Sequence, residues 1–128
     1  MFKISSLDHI GIGVKDAEIS VKWYQEVLGL EKLTIKEWGS YPVFMVSNDR
    51  TGIAIFQNRA GNPVSMPEDR KTGLPHIAFK VSFVDFENAQ KHLDTLNLGF
   101  EYQDHFIAHS IYFRDPDNYC IEITTYEI

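Results

Sequence analysis

The segments SLDHIGIGV at residues 6–14 and GLPHIAFKV at residues 73–81 share one pattern: Leu, one intervening residue, His-Ile, then an alternating apolar run ending in Val. His9 and His76 stand 67 residues apart. A helical pattern follows each segment, opened in the first copy by Asp16 or Glu18 with Ile19, Trp23 and Val27 as its apolar stripe. In the second copy the stripe is Phe86, Ala89, Leu93 and Leu96. The helices are expected to stop at Leu28-Gly29 and near Leu98-Gly99. Three short strand-like runs come next in each half: LEKLTIKEW, YPVFMVSN and GIAIFQN, then FEYQDHF, SIYFRD and YCIEITTYE. Ile53-Ala54-Ile55 and Ile121-Glu122-Ile123 lie 68 residues apart, close to the histidine spacing.

Both halves therefore read as strand, helix, strand, strand, strand. The expected fold is α+β, with two βαβββ modules at about residues 5–58 and 73–128 pairing into one cupped mixed sheet. Residues 59–72, rich in Pro, Gly and charge, read as the linker. A module of about 55 residues has too small a core to be comfortable alone. The whole chain of 128 residues, with 44% hydrophobic residues and a generous share of aromatics, has the length and composition of one globular domain. Its 12 Lys and Arg against 18 Asp and Glu leave a net charge of -6 and no basic run, which argues against nucleic acid as a partner. The apolar runs are too short for a membrane-spanning helix and the first residues lack a signal-peptide pattern, so a cytoplasmic location is expected. A single cysteine, Cys120, excludes an intramolecular disulfide and a cysteine-based zinc cluster. Any metal must be held by His and carboxylate ligands.

Strand alternation decides which side chains share a face. Ile10, Ile12 and Val14 should meet the first helix, leaving His9, Gly11 and Gly13 opposite. Ile77, Phe79 and Val81 should pack inward in the repeat, with His76, Ala78 and Lys80 on the other side. In the last strand Ile121 and Ile123 are core-like, so Cys120, Glu122 and Thr124 share the histidine face. A carboxylate between apolar neighbours is costly to bury unless it meets a cation or a strong donor. Two imidazoles and one carboxylate form the facial arrangement that suits Fe(II), with Mn, Ni, Co and Zn also fitting, and leave positions open for substrate. His9, His76 and Glu122 are the expected ligands.

The segments LDHIGIGV, PHIAFKV and SIYFRDPDNYCIEI resemble the vicinal oxygen chelate superfamily, the glyoxalase, bleomycin-resistance and extradiol-dioxygenase group, over essentially the whole chain. The resemblance implies paired βαβββ modules, a divalent metal on His9, His76 and Glu122, and a homodimer that acts on a small molecule. Glyoxalase I members add a fourth ligand where this chain has Ala54, which cannot ligate, although Gln57 is nearby. Fosfomycin-modifying thiol transferases carry an Arg shortly after the Glu, and TTYEI offers none. Extradiol dioxygenases place a Tyr ten residues before the Glu, which is Tyr112 here.

The resemblance therefore implies an extradiol-type dioxygenase with Fe(II) or Mn(II) favoured, acting on vicinal oxygens. Tyr112 and His109 are its catalytic candidates, and His105 is a second candidate base, since His109 has the opposite strand parity to Tyr112. Phe44, Phe56, Arg114 and Cys120 are the expected substrate contacts, with Trp38 beside them. A glyoxalase-like isomerase or lyase and a metal-free drug-binding protein are the alternative readings. Asn118 replaces the family's usual Gly after Asp-Pro-Asp and is expected to keep the turn, because Asn tolerates a positive φ.

Overall fold

Strand β1 (His9–Val14) leads into helix α1 (Ala17–Leu28) and then strand β2 (Glu31–Leu33), a 3-10 turn (Lys36–Trp38), and strands β3 (Val43–Val46) and β4 (Gly52–Gln57). The second half repeats the plan with β5 (Ile77–Lys80), α2 (Phe83–Thr95), β6 (Glu101–Asp104), β7 (His109–Arg114) and β8 (Cys120–Thr125). This computed structural model describes residues 1–58 and 76–128; the expected linker, residues 59–72, lies outside the described residues. The chain divides into two compact units, Met1–Met66 and Pro67–Ile128, each an α+β module.

The ladders form two sheets, with strand orders β1-β4-β3-β2 and β5-β8-β7-β6. In each, the first strand runs parallel to the last and the other neighbours are antiparallel. The helix supplies the crossover that a parallel pair requires. Each sheet therefore has one face against its helix and a second face that carries the module's histidine.

Local chemistry sets the element ends. The Asp16 carboxylate caps α1 by accepting from the Glu18 and Ile19 amides, and Gly29 closes the helix at φ 64. Ser82 caps α2 by accepting from the Asp85 amide. Asn97, at φ 55, turns the chain out of α2, two residues earlier than the expected Gly99. Gln57 is tied to the start of α1: its Oε1 accepts from Ala17 N at 2.8 Å and its Nε2 donates to Lys15 O at 2.6 Å. It is thus committed to structure.

The helix stripes differ from expectation. In α1 the buried residues are Ala17, Ser20, Val21, Tyr24 and Val27, whereas Ile19 is 56% exposed. Ala17, Ser20, Val21, Tyr24 and Val27 follow the i, i+3, i+4, i+7 spacing of one helix face, and Ile19, two residues from Ala17 and from Val21, falls on the opposite side. In α2 Phe86 and Leu93 are buried, while Leu96 caps the helix and is exposed. The expected run LEKLTIKEW keeps only Glu31–Leu33 as strand, because the chain turns over Lys36–Trp38.

Candidate metal centre

In module 2, register places Ala78, Glu122, Tyr112 and Glu101 in one row across the sheet, and Lys80, Thr124, Ser110 and Gln103 in the next. His76 directly precedes β5 on the same face. Its Nε2 stands 3.0 Å from Glu122 Oε2. The other carboxylate oxygen, Oε1, accepts from Ser110 Oγ at 2.7 Å, and Ser110 Oγ lies 2.9 Å from Thr124 Oγ1. Glu122 is only 7% exposed, so this carboxylate is buried with a hydroxyl donor on one oxygen and an imidazole on the other.

Two ligand atoms held about 2.1 Å from one ion at a right angle are about 3.0 Å apart. The observed His76–Glu122 spacing fits such a pair. The imidazole nitrogen and carboxylate oxygen are also the donor types that divalent first-row metals take. Within neither module do three His, Cys, Asp or Glu residues gather into a complete metal set among the described residues. His9 belongs to module 1, where its Nδ1 lies 2.6 Å from Asp8 Oδ2 and its ring meets Phe44 edge-on at 5.3 Å.

Tyr112 shares the Glu122 row and lies between two histidines. Its ring is 6.1 Å from that of His76, and its hydroxyl is 2.9 Å from His105 Nε2. Burial, and then the neighbouring Glu122 carboxylate, push the Tyr112 phenol above its ordinary value, so it is a hydroxyl donor at neutral pH. His109 does not join this group. Strand alternation puts it on the helix side of β7, where its ring meets Tyr102 at 5.6 Å and its Nε2 lies 3.7 Å from Asp104 Oδ1. The histidine beside Tyr112 is His105, in the β6–β7 turn, and the signal that finds it is the short hairpin that folds residue 105 back over β7.

Arg114 and Cys120 pair across β7 and β8. With Tyr112, Glu101 and Phe100 they line a groove of about 350 Å³. Arg114 Nη1 donates to Asn118 O at 3.2 Å. The Asp115–Tyr119 turn next to it is held by Asp115 Oδ1, which accepts from the Asp117 and Tyr119 amides, and Asn118 has the expected positive φ of 68. In module 1 the expected substrate contacts divide. Phe44 is buried against Val46 and Ala54 with its ring 5.9 Å from Trp38, whereas Phe56 is 45% exposed over Gly11.

Comparison with known proteins agrees with this architecture. The chain is 28% identical over 120 residues to the glutathione transferase FosA of Serratia marcescens, a match covering 94% of this chain and 80% of that protein. Its fold superimposes on a glyoxalase/dioxygenase from Nostoc punctiforme with a TM-score of 0.77 at 24% identity, covering 97% of this chain and 92% of that one. It also superimposes on a glyoxylase/bleomycin resistance protein/dioxygenase domain from Frankia sp. EAN1pec with a TM-score of 0.78 at 23% identity, covering 98% and 94%. Among the described residues no helix is long and apolar enough to cross a membrane. Residues 6–123 match the family model of the Glyoxalase/Bleomycin resistance protein/Dioxygenase superfamily, and the chain belongs to that superfamily.

Proposed function

We propose that the protein is a metal-dependent enzyme in which His9, His76 and Glu122 hold a divalent cation, Fe(II) or Mn(II), and that it acts as a homodimer on a small molecule with vicinal oxygens. The observation that carries this reading is the His76 Nε2–Glu122 Oε2 pair at 3.0 Å, with the carboxylate buried and its second oxygen held by Ser110. The reaction proposed is extradiol-type: both atoms of dioxygen enter a small aromatic diol and the ring C–C bond beside its hydroxyls breaks. The cation's contribution when bound is to acidify the substrate hydroxyls and neutralise the charge that develops on them.

The chain's own groups do the rest. Ser110 keeps the Glu122 carboxylate in one orientation. Tyr112, held as a phenol, donates its hydrogen bond toward the substrate oxygen, and His105 steadies the phenol oxygen from behind. Arg114 and Cys120 flank the groove that takes the substrate's substituents. Phe44, Phe56 and Trp38 provide apolar ring surface on the His9 face of module 1. Of the two candidate bases, His105 and His109, this role falls to His105, the one beside Tyr112.

A second reading, glutathione transfer to a small electrophile, is favoured by the similarity to the Serratia glutathione transferase. One assay separates the two. Oxygen uptake with catechols by Fe(II)-loaded protein supports the first; loss of free thiol from glutathione with fosfomycin, without oxygen uptake, replaces it with the second.

A further inference from the structure

His9 and His76 occupy the same place in the repeat, yet their rings are held in opposite ways. His76 turns Nε2 toward Glu122. His9 instead has Nδ1 engaged, 2.6 Å from the carboxylate of the residue immediately before it, Asp8. An ionised carboxylate accepts and cannot donate, so the single N–H of a neutral His9 ring sits on Nδ1 and the lone pair on Nε2. The residue before His76 is Pro75, which has no acceptor side chain, so the second module cannot use this device.

We infer that Asp8 is a positioning residue: it selects the Nδ1–H tautomer of His9, orients the ring, and leaves Nε2 as the ligating atom. The inference rests on the proposed metal reading, to which it adds a residue that neither the motif spacing nor strand parity indicated. A carboxylate behind a ligating imidazole fixes the ring and raises its basicity, and loss of such a partner weakens metal binding about 10–100-fold. Asp8 is 86% exposed and His9 41%, so the pair adds little to stability and its removal leaves the fold intact.

The test uses the full chain with Mn(II) as the probe, at a pH where imidazole is neutral. Nitrogen-15 spectra of the metal-free protein are expected to show Nδ1–H at His9 in the wild type. Asp8→Ala is expected to revert it to Nε2–H, the form imidazole side chains favour in water, while Asp8→Asn, whose amide oxygen still accepts, retains part of the original tautomer. Mn(II) affinity by calorimetry should fall about 10–100-fold in Asp8→Ala and less in Asp8→Asn. A His9 tautomer unchanged by Asp8→Ala, or an unchanged affinity where His9→Ala abolishes binding, overturns the role of Asp8 alone. If His9→Ala binds Mn(II) as tightly as wild type, the metal reading fails and the role of Asp8 goes with it.

Discussion

The two modules share a strand plan and differ in what each puts beneath its histidine. At an offset of 68 residues, Leu33, Phe44, Val46, Gly52 and Ala54 of the first correspond to Glu101, Tyr112, Arg114, Cys120 and Glu122 of the second. The first set is apolar, and Phe44, Val46 and Ala54 form a small core with Leu33 and Ile35 on the His9 side of the sheet. In the second set Glu101, Tyr112, Arg114 and Glu122 are polar and hydrogen-bonded, and Glu122 also meets His76. The same backbone thus supplies apolar packing in one copy and a hydrogen-bonded polar cluster in the other. What distinguishes them is a handful of side chains on one face, because the helix-side faces are mostly apolar in both, with Ile53 and Ile55 in one and Ile111, Phe113, Ile121 and Ile123 in the other.

The sharpest way to break this contrast is to exchange its central residue. Ala54→Glu puts a carboxylate at a fully buried position beside Phe44, without the serine that serves Glu122 and with the module's own histidine, His9, already engaged by Asp8. It should cost about 3 kcal/mol in urea unfolding of the metal-free protein. A variant as stable as wild type would show that the two faces are interchangeable. Gly52 and Cys120 make a second pair. A Cβ on Gly52 would lie 2.0 Å from the Met45 carbonyl oxygen, so Gly52→Ala should lose about 2 kcal/mol. Cys120→Ala, at the matching register position, should change stability by no more than about 0.5 kcal/mol. Equal losses from the two in parallel denaturation curves would remove the distinction.

Within module 2, Ser110 is fully buried and donates to Glu122. Ser110→Ala should cost about 1.5 kcal/mol, the worth of a hydrogen bond to a charged group, and this too is read from denaturant midpoints. A smaller effect is expected at the β3–β4 hairpin of module 1, where Asp49 accepts from Ser47 and Thr51. The Ser47 hydroxyl first, then Thr51, hold its carboxyl below the ordinary carboxylate range. A lowered folded-state pKa stabilises the fold above the unfolded value of about 4 and ceases to do so as pH falls through the folded one. The melting temperature of Asp49→Asn should therefore lie slightly below wild type at neutral pH and converge with it below pH 4. A gap that persists in acid would assign the difference to something other than the charge.

Much of this contrast was legible in the sequence, because strand alternation and the 67- and 68-residue spacings are strict geometric rules. They place His9, His76 and Glu122 on the faces where they stand, and they mark His109 as having the wrong parity for Tyr112. The helix faces were harder to read. In α1 the inward stripe is built from Ala17, Ser20 and Tyr24, so hydrophobicity alone points to Ile19 instead. His105 meets Tyr112 from a turn and Asp8 meets His9 as its neighbour along the chain, where no periodicity applies. Gln57 looks available in sequence, yet an unsatisfied helix N-terminus needs an acceptor, and Gln57 supplies it.

If the polar face of module 2 holds a metal on Glu122 together with the two histidines, removing that one carboxylate must weaken metal binding. Calorimetric titration of metal-free wild type and Glu122→Ala with Mn(II) tests it most directly, with melting curves to establish that both are folded. Saturable binding by the wild type and a loss of more than about 100-fold in affinity in the variant are expected. Equal affinity in the two proteins would contradict it.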